Sequence, residues 1–205
     1  MRLPWFDFRS PRSVAEAAKI LADEGPQAML IAGGTDLVPN MKRRHQTPAT
    51  LVSLRKVEEL HKMNGSLGAC LTLTEIVDSE RVREKYRGLW QAAAQIATPH
   101  LRNMGTLGGN LCLDTRCTYY NQNHEWRQAI DFCLTKDGET CWVATASKRC
   151  VAVSSTDSAP ALIALGARVR LVSSSEQRDV LLADLYRNDG INYLSRRPDE
   201  ILTEV

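Results

Sequence analysis

The sequence has almost no excess of charge: 26 Lys and Arg stand against 24 Asp and Glu, a formal net charge of +2. A balance that even argues against a nucleic-acid-binding chain, which shows a basic surplus on one domain. Long apolar runs are missing too. No stretch of about 18 apolar residues occurs, so no membrane-spanning helix is expected. The start, Met1 to Ser10, lacks the apolar segment of a secretory signal, and the expected compartment is the cytoplasm. There is no internal repeat and no low-complexity tract. No Ser/His/Asp set or paired-carboxylate arrangement argues for hydrolysis, and His45, His61, His100 and His124 show no metal-ligand spacing. What remains is ordinary globular composition, 43% hydrophobic and 24% charged over 205 residues. That length suits one large or two small domains.

Cysteine is the exception. Five of the six cysteines (Cys112, Cys117, Cys133, Cys141 and Cys150) fall in one segment, and only Cys70 lies outside it. Structural disulfides are rare in a cytosolic chain. The last four are spaced 16, 8 and 9 residues apart. No closely spaced pair of the zinc type is present, nor bacterial ferredoxin spacing. Spacing alone leaves two readings open: isolated buried thiols or the ligands of a metal centre. The intervening residues, among them Tyr119, Tyr120, Asn121, His124, Trp126, Lys136, Asp137 and Gly138, are too polar for a core element. An irregular loop of this length needs something to offset its ordering entropy, and metal–thiolate bonds would do so.

Elsewhere the pattern is regular. Ser13 with Glu16 predicts a capped helix carrying Val14, Ala17, Ala18 and Leu21, stopped at Gly25-Pro26. Strands are expected at 29–32 and 50–54, and the aromatics Trp5, Phe6 and Phe8 are expected to pack the first strand. Further on, 67–73 reads as a strand, Thr74 as a helix cap, 89–97 as a helix ending before Pro99, and 150–153 as a strand. Residues 158–165 read as a helix with Gly166 past its end, and 167–172 and 201–205 as strands. Residues 1–55 are read as a β-α-β unit and 56–205 as a second α+β unit that contains an insertion at 111–150.

Two glycine pairs interrupt this pattern, Ala32-Gly33-Gly34-Thr35-Asp36 and Thr106-Leu107-Gly108-Gly109-Asn110. Adjacent glycines tolerate positive φ and leave no Cβ in the way, so backbone N–H groups can converge on a pyrophosphate, with Thr35, Thr106 and Asn110 adding side-chain bonds. Two ordinary tight turns are the other reading. Neither loop is a Walker A motif or a Gly-x-Gly-x-x-Gly fingerprint. The basic run Lys42-Arg43-Arg44-His45 reads as a solvated face, or else as a docking patch for an acidic electron-transfer protein.

The glycine loops resemble those of the flavin-binding medium subunits of the molybdenum hydroxylase family, the xanthine dehydrogenase and carbon monoxide dehydrogenase group. Ala32 to Leu37 and Thr106 to Asn110 match the two loops that cradle the FAD pyrophosphate there. The approach Ile96 to Gly105 is similar as well, with His100-Leu101 where the family has Gln-Ile. Ser155 to Leu162 resembles the family's Ser-Asp-x-Ala-Pro-Ala-Leu segment, whose Asp lies near the flavin, and Asp199-Glu200-Ile201-Leu202 resembles its Gly-Glu-Ile-Leu. The resemblance implies an α+β, two-subdomain FAD-binding fold of the vanillyl-alcohol oxidase/CO dehydrogenase flavoprotein type with a Cys-rich loop insertion. It implies cofactor contacts from Met29, Leu30, Ile31, Ala32, Gly33, Gly34, Thr35, Asp36, Leu37, His100, Thr106, Gly108, Gly109, Asn110 and Asp157. The family's third, C-terminal domain of about 100 residues is expected to be absent, since the sequence stops at Val205.

The cysteine segment resembles the insertion of one branch, the β subunits of 4-hydroxybenzoyl-CoA reductases. That likeness implies a 4Fe–4S cluster on Cys117, Cys133, Cys141 and Cys150, with Cys112 spare near the flavin loop and Cys70 a buried strand residue. It further implies ferredoxin as electron donor, a 2Fe–2S small subunit and a molybdenum-cofactor large subunit as partners in a dimer of heterotrimers, and reductive dehydroxylation of 4-hydroxybenzoyl-CoA to benzoyl-CoA. Two alternatives stand beside it: the FAD subunit of an aldehyde-, xanthine- or CO-oxidising hydroxylase, and a zinc-stabilised binding module that is not an enzyme.

Overall fold

A computed structural model describes residues 2–205. In chain order the elements are β1 (Asp7–Arg9), α1 (Val14–Glu24), β2 (Ala28–Ile31), α2 (Leu37–Lys42), β3 (Thr50–Ser53), α3 (Leu73–Asp78), α4 (Glu80–Lys85), α5 (Arg87–Gln95), α6 (Pro99–Arg102) and α7 (Leu107–Leu111). They continue with α8 (His124–Ala129), α9 (Ser158–Ala164), β4 (Arg168–Val172), β5 (Gln177–Leu181), α10 (Leu182–Leu185) and β6 (Ile201–Glu204).

The first three strands form a parallel sheet in the order β1-β3-β2, with Thr50 opposite both Asp7 and Ala28. Parallel neighbours need a crossover, and α2 lies in the one between β2 and β3, while α1 carries the chain from β1 past the β3 position to β2. Ser13 caps α1 by accepting from the Glu16 N–H at 3.1 Å, and the Glu16 carboxylate reaches back to the Arg12 N–H at 2.8 Å. Ala17, Ala18 and Leu21 of α1 pack on Val52 and Leu54, together with Leu60, Cys70 and Ile201. Truncating a buried leucine such as Leu21 costs about 2–5 kcal/mol. The last three strands form an antiparallel sheet, β5-β4-β6, whose register shifts between Arg170 and Leu171. Val169, Leu171 and Leu202 join Leu89 and Ala93 of α5, Leu107 and Leu111 of α7 and Leu162 of α9 in a second core. The Arg178 guanidinium meets the fully buried Glu200 carboxylate at 2.6 Å. Burial raises the Glu200 carboxyl, but the Arg178 bond and the Arg197 N–H outweigh it and hold the acid below its ordinary value.

Several expectations need correction. Residues 67–73 form no ladder strand. Leu67 and Ala69 donate to Val205 and Thr203, while Gly68 and Cys70 donate to Lys62 and Leu60. The segment divides its bonds between two neighbours but makes only the isolated bridges Met63–Leu67, Gly68–Glu204 and Thr72–Thr106, too scattered to form a ladder. The capping box belongs to Thr72 with Glu75 rather than to Thr74. Residues 150–153 contribute one bridge, Arg116 to Val153, and no strand. Trp5 and Phe8 do not pack the first strand: they are 85% and 57% exposed, Trp5 lying before β1 and Phe8 on an edge strand whose three residues are all exposed, and only Phe6 is half-buried. β5, with the mostly polar sequence Gln-Arg-Asp-Val-Leu, carried too little apolar alternation to be read.

Candidate functional site

Between the two sheets lies a cavity of about 820 Å³, toward the upper end of ligand pockets in size. Residues Met29 to Leu37, Thr106, Gly108, Gly109, Asn110 and Asp157 all line it. Among the residues expected at a cofactor, His100 alone lies outside the lining. It sits exposed on α6, whose Leu101 reaches the cavity instead.

The glycines explain how the walls come so close. A Cβ on Gly33 would stand 1.8 Å from the Met104 carbonyl oxygen, so the two glycine-bearing segments meet backbone to backbone. Gly34 has φ of +71°, which an L side chain resists. A Cβ on Gly108 would come within 2.7 Å of the Ala69 Cβ. Thr106 caps α7 by accepting from the Gly109 N–H at 3.1 Å. The Asn110 oxygen accepts from the Thr156 hydroxyl at 2.9 Å and the Ser158 N–H at 3.1 Å, and its amide donates to Asp157 at 3.4 Å. Thus the second glycine segment and the segment before α9 form one wall.

Asp36 does not stand free at the cavity. Its carboxylate pairs with Arg116 and accepts from the Asp114 N–H at 3.1 Å and the Asn40 amide at 3.4 Å. Asp114 accepts from the Tyr120 hydroxyl at 2.8 Å and the Gln46 amide at 3.2 Å. Burial pushes the Asp114 carboxyl up, and the Tyr120 bond opposes this. His45 stacks on Tyr120 with ring centroids 4.3 Å apart. The basic run is therefore only partly a solvated face, since His45 is buried within it. A segment that carried no motif also reaches the cavity: Arg187, Asn192, Tyr193, Arg196 and Arg197 line its far side.

The four later cysteines share a second, small cleft with Thr135, Trp142 and Val151. Cys133, Cys141 and Cys150 are buried and Cys117 is half-buried. Burial raises the Cys141 thiol, but backbone N–H groups of Ala144, Val143 and Val151 outweigh it and lower the group below its ordinary value. The Cys150 sulfur lies 2.9 Å from the Thr135 hydroxyl and accepts from the Ala152 N–H at 3.3 Å. Donors aimed at sulfur favour thiolate. Asp131, Phe132 and Asp137, all non-glycine, have positive φ on either side of Cys133. Such residues cost about 1–3 kcal/mol each unless their surroundings enforce them. Among the described residues, no three His, Cys, Asp or Glu side chains stand close enough to hold one metal ion. A four-iron cluster makes a different demand, because each thiolate binds its own iron and the ligands stand farther apart. Cys112 lines the flavin-type cavity and not this cleft, and Cys70 is buried under the first sheet's core.

Glycine-bearing segments that meet backbone to backbone beside a large cavity leave room for a dinucleotide-sized ligand. The comparisons agree. Residues 4–205 match the family described as the FAD binding domain in molybdopterin dehydrogenase, and the chain belongs to that family. It is 33% identical over 196 residues to the aldehyde oxidoreductase FAD-binding subunit PaoB of Escherichia coli K12, an alignment covering 90% of this chain and 61% of that one. It is 36% identical over 113 residues to the carbon monoxide dehydrogenase medium chain of Hydrogenophaga pseudoflava, covering 53% of this chain and 39% of that one. The crystal structure of quinoline 2-oxidoreductase from Pseudomonas putida 86 superposes with a TM-score of 0.73 at 26% identity, over 100% of this chain and 59% of that one. The chain therefore spans about three fifths or less of the length of these relatives. The fold is that of the family's FAD-binding domain, a mixed helix-and-strand structure.

Proposed function

We propose that this chain is the FAD-carrying electron-transfer subunit of a molybdenum enzyme of the aldehyde, xanthine and CO dehydrogenase type. The observation that carries the reading is the shared cavity: fourteen of the fifteen residues expected at the cofactor line it. FAD, when bound, supplies the capacity to take up electrons singly or in pairs and pass them on. The chain's own residues bind and orient it. Gly33, Gly34, Gly108 and Gly109 let the backbone approach the pyrophosphate, with Thr35 and Thr106 beside them. Arg187 and Arg196 bring positive charge to the opposite wall, whereas Arg197 there is already paired with Glu176, Asp199 and Glu200. The substrate site and molybdenum belong to a large subunit, and 2Fe–2S clusters to a small one. The test is flavin release by acid from the purified chain: about one FAD per chain is expected. Protein that neither retains FAD nor takes it up on titration contradicts the reading.

A second, narrower reading is favoured by the cysteine cleft. Cys117, Cys133, Cys141 and Cys150 hold a 4Fe–4S cluster, and electrons reach FAD from a ferredoxin through it, as in a reductase that removes the hydroxyl group of 4-hydroxybenzoyl-CoA. Support comes from four cysteines lining one cleft, three of them buried, with N–H and hydroxyl groups at the Cys141 and Cys150 sulfurs. The chain's part is to supply four thiolates and to exclude water around them. The assembled complex discriminates the two readings. Reduction of 4-hydroxybenzoyl-CoA with reduced ferredoxin supports the narrower one. Oxidation of an aldehyde or purine, with no reductase activity, leaves only the broader one.

A further inference from the structure

Arg127 is the most anomalous charge in the molecule. It belongs to α8, within the cysteine segment, and its relative exposure is 0%. Its Nη2 donates to the Arg43 carbonyl at 2.9 Å, but Nε and Nη1 have no partner. Among the described residues no carboxylate forms an ion pair with it. A buried guanidinium in this state is costly, because desolvation is not repaid by a counter-charge or by a full set of hydrogen bonds. The nearby acids are already engaged: Asp36 is paired with Arg116, and Asp114 takes the Tyr120 hydroxyl and the Gln46 amide. The surroundings are positive. Burial first, and then the charges of Arg127, Arg43 and Arg116, keep the adjacent His45 uncharged against the Gln122 carbonyl bond.

The position of Arg127 suggests what offsets this charge. The Phe132 N–H donates to the Arg127 carbonyl at 2.7 Å, and the Phe132 ring lies 5.8 Å from the guanidinium carbon. The Phe132 carbonyl accepts from the Trp142 indole at 2.6 Å. The next residues along the chain are Cys133 after Phe132 and Cys141 before Trp142. Through Phe132, Arg127 is thus joined to the two chain segments that carry Cys133 and Cys141. A 4Fe–4S cluster on four thiolates is an anion in both of its working oxidation states, and more negative when reduced.

We propose that Arg127 is the counter-charge of the cysteine cleft, a positioning residue whose buried, otherwise unmatched guanidinium balances the cluster's negative charge and holds its reduction potential up. The inference rests on the cluster reading above. A positive charge in a low-dielectric surround stabilises the reduced, more negative form more than the oxidised one, so net charge near a cluster sets its potential. His45 stays neutral beside it and adds no charge, and Asp36 and Asp114 are already engaged, by Arg116 and by Tyr120 and Gln46.

The test uses the full chain in its assembled complex, with Arg127→Met and Arg127→Lys beside the parent protein. Iron and sulfide are counted first, then the cluster midpoint is read by redox titration followed by electron paramagnetic resonance. The expected result is parental iron content in both variants, a midpoint shifted to more negative potential in Arg127→Met, and a midpoint near the parental value in Arg127→Lys. Thermal unfolding of the iron-free chain gives a second readout. Replacing an unmatched buried charge by an apolar residue of similar volume is neutral or stabilising, so iron-free Arg127→Met should unfold no earlier than the parent. A parental midpoint in iron-loaded Arg127→Met overturns the proposal. So does an Arg127→Met chain that fails to fold or unfolds earlier when iron-free, because that is a structural role. Absence of iron from the parent overturns the cluster reading and this inference with it, whereas an unshifted midpoint overturns only the role of Arg127.

Discussion

The flavin-type cavity and the cysteine cleft are built on opposite principles. The cavity is walled by the ends of regular elements, and its backbone approaches are enforced by core packing: Gly33 against Met104 and Gly108 against Ala69. The cleft is walled by turns and isolated bridges, with Asp131, Phe132 and Asp137 beside it in left-handed conformations. A site of the first kind exists before its ligand, since folding alone closes it. A site of the second kind leans on what it binds, since little apolar burial offsets the ordering of its loop. The two meet at one hinge of charge, the Asp36–Arg116 pair, with Arg116 next in sequence to Cys117.

Breaking each region separately should therefore give unlike results. The largest effect is expected for Cys133→Ser, which should lose essentially all iron while keeping one FAD per chain. Iron and flavin analysis checks this, and parallel loss of both would mean the two sites are not separable. Next is Gly33→Ala. Its Cβ must displace the Met104 backbone, so FAD affinity should fall about 100-fold, about 2.7 kcal/mol, measured by flavin fluorescence titration. Gly88→Ala on α5 is the control, because it lies outside the cavity and a Cβ there meets only the Ala161 Cβ at 3.9 Å. A smaller effect is expected with pH. Burial, with the guanidiniums of Arg127, Arg43 and Arg116 and against the Gln122 carbonyl bond, lowers His45 from 6.5 to about 4. The unfolded chain then takes up this proton first as pH falls. Stability from neutral His45 is thus full above about 6.5 and lost progressively toward pH 4. The difference between parent and His45→Phe unfolding curves across that window isolates it, and parallel curves would show that His45 titrates normally. The smallest effect is expected for Asp36→Asn, which keeps the hydrogen-bonding shape but removes the charge. A partly exposed pair contributes about 1 kcal/mol, so the melting temperature should drop by about 2–4 °C, with more of the loss falling on the cysteine segment in hydrogen exchange.

What was legible in the sequence follows the same division. The cavity's first two walls could be read because their demands are local: adjacent glycines, a capping threonine and an Asp three residues before Pro160 stand close together in the chain. Its far wall could not. Arg187, Tyr193 and Arg196 reach the cavity through a loop whose place is set by β5 and β6, and no spacing within 187–198 signals it. His100 stands exposed on α6 while its neighbour Leu101 touches the cavity rim, a difference of one residue that spacing does not resolve. Trp5 and Phe8 misled for a different reason, since apolarity in an edge strand does not say which side is covered. In the cysteine segment the four thiols were visible, but Arg127 was not: nothing in the sequence distinguishes a buried, unmatched arginine from a solvated one.

The measurement that bears most directly on the two-site account is the ratio of iron and acid-labile sulfide to flavin in the anaerobically purified chain. About four iron and four sulfide per FAD is the predicted result, with a visible spectrum that combines flavin bands and a broad sulfur-to-iron absorption. Flavin with no iron would contradict it, leaving the cavity as the chain's one cofactor site and the cysteine loop without a role in electron transfer.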